Sequence, residues 1–525
     1  MSFIIIKEID DKLLKDFIEN VKNYKSFRYF NNRDISCIEN HVLTVLLKNT
    51  DNNIVGYGHI DYENNIYWIG ICVLDKYQNN GYGDMILSYL LEYSFINTIN
   101  EVKLTVDINN YKAINLYFKH GFKINNYEKN YYQMVNNLSM NNIILPVSPG
   151  EAIDKLTILD IKKNKIQDER KKDVINEYNV LSKKLKNIVN NNKYYYSILK
   201  KINTDIWEMQ DNFRYNLCDK TKLCFDIIEL NDRRFRIKKK INDCINSHLK
   251  EQKGYKSKKV FLLQHLGMGD HLTCCGMTRY LSTLYDEVLL VCKNKNLNNL
   301  KELYSNDKNI IFYVVDNDNE ISPRYGFDIN KFNEITKDYD KYLCGYHNIN
   351  KNVSFHNLPF CFYEQLNIDT DILWEYFNVP DISNSNYLFN QVKNYKLIFI
   401  HNSSSNGVLF DELTIIKSMN IDIDNYLIIN PCNNFYNNDD EIKYNLCESI
   451  KNQSIISYKK IIENSDFIFL SDSSFFCLSM NLDLKTNNNY LIKRKSNSYS
   501  NYDIIWSDKY NYKKFNKKKF IQLTI

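Results

Sequence analysis

The chain has 525 residues, of which 44 % are hydrophobic and 25 % charged, with a formal net charge of +5. That length exceeds one ordinary core and calls for several units at about 100–200 residues each. The weak, interleaved charge gives no reason to expect a nucleic-acid partner, and the sequence holds no run of ~18 apolar residues that would span a membrane.

Thirteen cysteines without a CxxC pair, the closest being the doublet Cys274-Cys275, predict free thiols in a reducing, cytoplasmic setting and no metal site. The runs Asn190 to Asn192 and Asn487 to Asn489 read as compositional drift in loops. The opening stretch, MSFIIIKEIDDKLL, has a short apolar run followed by acidic residues and reads as a first strand rather than a signal peptide.

Strand-like runs at Phe3 to Ile6, Ile54 to Tyr62, Tyr67 to Leu74 and Val102 to Val106 then alternate with helical stretches at Lys12 to Val21, Asp84 to Phe95 and Ala113 to His120. Asn52-Asn53 and Asn64-Asn65 mark turns. This mixed pattern defines a first domain over residues 1–138. Over residues 146–252 strand signals vanish. Ile153, Leu156, Ile158, Leu159 and Ile161 form a stripe at helical spacing, with Ser148-Pro149 as the start and Glu151 in the first turn. The expectation is a helical connector of the kind that can also pair chains into a homo-oligomer.

Over residues 258–525 a βα rhythm returns. KKVFLLQHL, DEVLLVCK, NIIFYVV, KLIFIHNS, NYLIIN and DFIFLSD are short apolar runs bounded by polar turns, the pattern of parallel sheets buried on both faces. The length suits two Rossmann-like halves. The basic run Lys513 to Lys519 reads as a solvated tail. The fold class expected is therefore α/β multidomain.

Two of only 14 glycines stand two positions apart in YQNNGYGDMILSYLLEY, residues 77–93. A strand, a glycine loop and a helix in that order let backbone N–H groups converge on an anion, with the helix N-terminal partial charge behind them. Missing side chains permit close approach of a pyrophosphate. Downstream, LTVDINNYKAINLYFKHGF, residues 104–122, supplies a strand, an Asn-rich turn, an amphipathic helix and a Gly-Phe exit. Together the two segments resemble the GNAT acetyltransferases. Gln78, Gly81 and Gly83 match that family's acetyl-CoA loop, and Asn110, Ala113, Leu116, Tyr117, Gly121 and Phe122 match its second cofactor motif.

The resemblance implies a mixed-sheet fold with acetyl-CoA as cosubstrate. The backbone of Ile71, Cys72 and Val73 would pair with the pantetheine arm. The amides of Gln78, Asn79, Asn80, Gly81, Tyr82, Gly83 and Asp84 would hold the pyrophosphate, and Asn110 would contact the pantetheine side. A backbone N–H would support the oxyanion as an amine attacks. Tyr117 falls where many members place the acid that protonates the leaving thiolate, a role its pKa near 10 suits; its alternative is core packing. Thr105 replaces the glutamate of members that act on ribosomal-protein N-termini, which weakens that substrate class. Asp84 opens the helix where small neutral residues are usual, and is expected to point outward and interact with the helix dipole. His59, Asp61 and Glu63 share a strand face. Any of them could serve the amine as base, but a solvated face is the expected reading.

VFLLQHLGMGDHLTCCGMTRYL, residues 260–281, repeats the strand, glycine-loop, helix order without a dinucleotide fingerprint or a Walker loop. It is similar to the opening of GT-B glycosyltransferases of the heptosyltransferase kind. That likeness implies Asp270 as the base for an acceptor hydroxyl and Gly267 and Gly269 at the nucleotide sugar. DFIFLSDSSFFCLSMNL, residues 466–482, is similar to the same family's donor loop and implies Asp472, Ser473 and Ser474 at phosphate or ribose. KLIFIHNSSSNG, ending at Gly407, is a further candidate phosphate loop. His265 and His271 flank the first loop and read as polar contacts rather than ligands.

The combination resembles bifunctional glycan-synthesis proteins of large DNA viruses, which would place the chain in a host cytoplasm. It implies a UDP-linked 4-amino-4,6-dideoxyhexose of the viosamine type as acetyl acceptor, with a glycan or sugar acceptor for the second module. Two alternatives stand beside it: a protein or polyamine N-acetyltransferase fused to a binding module, and a scaffold whose folds no longer catalyse.

Overall fold

Alternating apolar residues and asparagine turns build the first unit, Met1–Pro146. In the computed structural model, residues 2–524 are described except 7, 9, 10, 22, 23, 25, 26, 28, 32, 139–144, 216–219, 255, 324–327, 349–359, 404–408 and 494–513. The unit runs β1 (Ser2–Ile5), α1 (Lys12–Val21), β2 (His41–Lys48), β3 (Ile54–Glu63), β4 (Ile66–Val73), α2 (Tyr82–Ile96), β5 (Glu101–Asp107), α3 (Tyr111–Lys119), β6 (Lys123–Glu128) and β7 (Tyr131–Asn137). Its seven-stranded sheet has the order β1-β2-β3-β4-β5-β7-β6. Every pairing is antiparallel except β4 with β5. The β3–β4 hairpin turns on Asn64 and Asn65, at φ 52 and 62, the left-handed pair that a two-residue turn requires.

The two sheet faces are buried by different helices. Ile86, Leu87 and Leu90 of α2 and Ile114 of α3 cluster with Val55, Ile60 and Leu104, while Leu14, Phe17 and Val21 of α1 cluster with Leu46, Tyr57 and Cys72. Between β4 and β5 the sheet opens. The two strands share the register pair Trp68↔Lys103 and no other, so β4 keeps its full pairing to β3 while its other edge departs from β5.

The second unit, Val147–Ile525, starts with four helices. They are α4 (Pro149–Lys165), α5 (Lys171–Asn191), α6 (Lys193–Arg214) and α7 (Lys220–Cys244). As expected, Ser148 caps α4, its Oγ accepting the Glu151 N–H at 3.2 Å, with Pro149 in the first turn. Two parallel sheets follow. The first comprises β8 (Lys259–Leu263), β9 (Glu287–Lys293), β10 (Ile310–Val315) and β11 (Asp340–Leu343) in the order β10-β9-β8-β11. The second comprises β12 (Leu397–His401), β13 (Leu427–Ile429), β14 (Phe467–Ser471), β15 (Asn489–Lys493) and β16 (Ile521–Thr524) in the order β13-β12-β14-β15-β16. After β8 come α8 (Met268–Thr273) and α9 (Cys275–Leu284).

The four helices are not a separate connector. Ile198, Leu199, Ile202 and Ile241 share one core with Val260, Leu262, Met277 and Leu281. The basic run near the C-terminus differs from the expected solvated tail. Lys513 lies outside the described residues, but Lys514 pairs with Asp371, Lys517 donates to the Asn481 carbonyl at 2.8 Å, and Phe515 stacks on Trp374. Among the described residues no helix is long and apolar enough to cross a membrane, and no group of three or more His, Cys, Asp or Glu side chains is placed to hold a metal ion.

Candidate active site

The open edge of β4 leads into the first glycine loop. Gly81 caps α2 at φ 81, ψ −1, a left-handed conformation that costs a side-chain-bearing residue about 1–2 kcal/mol. A Cβ there would meet nothing within 4 Å, so the loop is unobstructed on that side. Loop side chains hold the turn from within. Gln78 Nε2 donates to Asp75 Oδ1 at 2.7 Å, Asn80 Nδ2 donates to the carbonyls of Tyr77 and Gln78 at 3.2 Å, and Asn79 takes φ 64. The first N–H groups of the 15-residue α2 have no acceptor within the helix, which suits an anion.

Ile71, Cys72 and Val73 lie opposite Gly58, Tyr57 and Gly56 of β3 and have no register partner on β5. Burial pushes the Cys72 thiol up to about 12. Tyr117 is buried on α3, its ring 5.7 Å from Phe122, and burial, with a smaller contribution from Cys72, raises its pKa so that it stays protonated. Asn110 caps α3, its Oδ1 accepting the Ala113 N–H at 3.2 Å. Asp84 lies in the first turn of α2 but is turned onto the end of α3 rather than outward. Lys119 pairs with it and His120 Nε2 lies 2.8 Å from its Oδ1. The Lys119 hydrogen bond and then His120 lower its pKa, so its charge is balanced beside the loop.

The largest departure from expectation is on β3. His59 and Asp61 are 1 % and 4 % exposed, and only Glu63 is solvated. The segment after α1 covers that face. Tyr29 donates its one proton to Asp61 Oδ2 at 2.7 Å, so His41 Nε2, also 2.7 Å from the phenol oxygen, carries a proton and donates to it. His41 Nδ1 then accepts from Thr44 Oγ1 at 2.7 Å. Arg33 lies 3.5 Å from Asp61 and 3.2 Å from Glu63. The His41 and His59 rings stack at 4.5 Å, and His59 lies over Gly70, whose missing side chain makes room for the imidazole. Burial lowers the pKa of His41 to about 4 and holds that of His59 well below its ordinary value, so both are neutral near pH 7. Sequence reasoning missed Tyr29, Arg33 and His41. The alternation His59–Asp61–Glu63 was the available signal, but alternation does not say which face is covered.

In the second unit the two singled-out segments meet. Gly269 packs against the helix Ser474–Ser479, where a Cβ would lie 3.5 Å from Cys477 Sγ, and a Cβ on Gly267 would fall 2.6 Å from Asp270 Oδ2. Desolvation, the largest cause, raises the Asp270 pKa to about 6; Asp318 and Asp472 add to this, while the Gly267 N–H and Lys293 oppose it. His265 Nε2 accepts the Tyr346 N–H at 2.8 Å, which leaves the proton on Nδ1, 3.9 Å from Asp270 Oδ1. His271 Nδ1 is 2.8 Å from Gln264 Nε2. Ser473 Oγ lies 2.9 Å from His401 Nδ1 at the end of β12. Gly407 and the centre of the other expected phosphate loop lie outside the described residues.

Residues 6–122 match the family model described as the Acetyltransferase (GNAT) family. Residues 143–260 match that of a family of unknown function, DUF6165. Similar solved structures include a GNAT-family acetyltransferase of Streptococcus pneumoniae, 23 % identical over 26 % of this chain and 100 % of that one, with a TM-score of 0.23. Mutant forms of the spermidine/spermine N-acetyltransferase SpeG of Vibrio cholerae are 18 % identical over 26 % and 95 %, with a TM-score of 0.22. The putative acetyltransferase yncA of Salmonella typhimurium, solved with acetyl-CoA, is 12 % identical over 28 % and 99 %, with a TM-score of 0.23. The opened mixed sheet and the glycine loop both lie within the segment that the acetyltransferase family model matches. Residues 6–122 are a GNAT acetyltransferase domain.

Proposed function

We propose that the first unit acetylates the amine of a nucleotide-linked 4-amino-4,6-dideoxyhexose, UDP-linked, using acetyl-CoA, and that the second unit is a GT-B-like glycosyltransferase serving the same glycan pathway. The observation that carries the first half is the β4 edge that parts from β5 after Trp68 and ends at the unobstructed Gly81 loop. Those residues fit the cosubstrate, because an unpaired strand edge offers hydrogen bonds to an extended amide arm and the α2 end offers N–H groups to a pyrophosphate.

When bound, acetyl-CoA supplies an activated thioester. Ile71, Cys72 and Val73 hold its arm, the amides of Gln78 to Asp84 hold its phosphates, and Tyr117, kept protonated by burial, gives a proton to the departing thiolate. In the second unit Asp270 takes the proton of an acceptor hydroxyl, with Gly267, Gly269, Asp472, Ser473 and Ser474 at the nucleotide sugar. The raised Asp270 pKa supports a base poised near neutrality.

The test is to give the full-length protein acetyl-CoA with a panel of amino-sugar nucleotides, polyamines and peptides, and to follow free thiol. Release with an amino-sugar nucleotide alone supports the assignment, and turnover of peptides or polyamines alone overturns it. Asp270→Asn is expected to abolish sugar transfer and leave acetylation intact.

A second reading is a protein or polyamine acetyltransferase with a non-catalytic second unit. It is favoured by how the second glycine pair is used: the space at Gly267 is taken by the chain's own Asp270 carboxylate, and Gly269 packs on a helix.

A further inference from the structure

The hairpin of α6 and α7 outruns the elements that pack on it. Lys165, at the end of α4, pairs with Glu208, and Asp154 takes the Arg234 guanidinium. On the other side α9 meets α7 where Arg233 Nε donates to Thr283 Oγ1 at 3.3 Å. Residues 210–214 and 220–228 lie past those contacts. A helix end that only met water would be polar there. Instead Phe213, Phe225 and Ile228 are 38 %, 68 % and 59 % exposed. Phe213 and Ile228 line a groove of about 430 Å³ between the two helices, together with Cys224 and Ile227. Phe225, three positions before Ile228, stands on the adjoining strip of α7.

At about 200 Å² per large side chain, those three leave on the order of 350 Å² of apolar surface to water, the size of patch that marks an interaction site. Arg214, Lys222 and Glu229 around it are exposed. With such a rim the face approaches the ~800 Å² per partner of a standard interface.

The charges say what covers it. Lys222 and Glu229 are seven residues apart, so they stand on one flank of α7, two turns from each other. In an antiparallel pair of helices equal flanks meet, and in a parallel pair opposite flanks meet. Only the antiparallel pairing of α7 with itself therefore sets Lys222 of each copy level with Glu229 of the other. We propose that this face joins two copies of the chain, with α7 antiparallel to its own copy about a two-fold axis passing between Phe225 and Asp226. The same axis brings Phe225 beside Phe225 of the second copy. The pairing is independent of the reaction that either unit performs.

Sedimentation equilibrium of the full-length protein, over about 1–100 μM, is expected to show a dimer with micromolar Kd. A monomer throughout overturns the pairing and leaves the face to a different protein. Phe225→Glu changes an exposed side chain and should weaken dimerisation at least about 100-fold; a dimer as tight as the wild type overturns the face. Lys222→Glu sets like charges together twice per dimer and should weaken it at least about threefold, and adding Glu229→Lys should restore it. A double variant no tighter than Lys222→Glu overturns the antiparallel register. Should these variants not fold, the wild type decides. Its exposed free thiol Cys224 falls level with Ile227 of the second copy, so a short bismaleimide should link Cys224 to Cys224, as read by mass spectrometry of the joined peptides. Absence of that link in a dimer also overturns the register.

Discussion

Asp307 takes the Arg279 guanidinium through one carboxylate oxygen, Nε to Oδ2 at 2.8 Å, with both side chains 2 % exposed. Its other oxygen takes Lys240 Nζ, also at 2.8 Å. Lys240 belongs to α7 and Arg279 to α9, so one buried charge joins the helical segment to the first parallel sheet. Its two partners hold the Asp307 carboxyl at about 2 despite burial. Removing one member of such a group strands the others. Asp307→Asn is expected to destabilise the second unit by about 3–5 kcal/mol in urea unfolding followed by tryptophan fluorescence. Because the folded pKa lies below the ordinary 3.8, this contribution is present above pH 4 and fades as pH falls through about 2. A loss under about 1 kcal/mol would mean that the triad is not buried in solution.

At the first glycine loop, Gly81→Val is expected to lower coenzyme A affinity at least about tenfold in calorimetry while costing the fold only ~1–2 kcal/mol. The added side chain enters space that nothing else in the chain fills, so the ligand rather than the core feels it. Unaltered affinity would place the pyrophosphate elsewhere.

Tyr117→Phe removes a proton and keeps the ring. If Tyr117 serves the leaving thiolate, kcat for acetyl transfer falls about 10²-fold with little change in KM. A variant that loses stability and keeps kcat would assign Tyr117 to packing.

Asp270 predicts a pH signature. Its folded pKa is raised, from 3.8 to about 6, chiefly by desolvation, so folding penalises its charged form. The stabilisation it confers is complete below about pH 4 and is lost as pH rises through about 6. The Tm of Asp270→Asn should therefore gain on that of the wild type between pH 4 and 7. Parallel Tm profiles would show that the carboxyl is well hydrated.

The parts legible in the sequence were those written in neighbouring residues. Helix Lys12–Val21, the Ser148 cap and the Asn64–Asn65 turn each depend on a few adjacent side chains. Strand β2 was missed because HVLTVLLK is apolar on both faces and carries no period of two or 3.6. Strand β6 was missed for the opposite reason, since every residue of KINNYE is exposed. β11 pairs parallel to β8, with two strands between them in the chain and Asp340 opposite Val260. At the site, the Gly81 loop was visible, whereas the Tyr29–Asp61 contact spans 32 positions and the Lys240–Asp307 contact 67. No local pattern reports on such meetings.

The parting of β4 from β5 also has a kinetic side. Amides on the unmatched edge beyond Trp68 should trade deuterium quickly, while those of β4 turned toward β3 stay slow. A strand protected on one flank and labile on the other is a built-in reporter. Whatever lies down along that flank announces itself, residue by residue, by slowing the exchange.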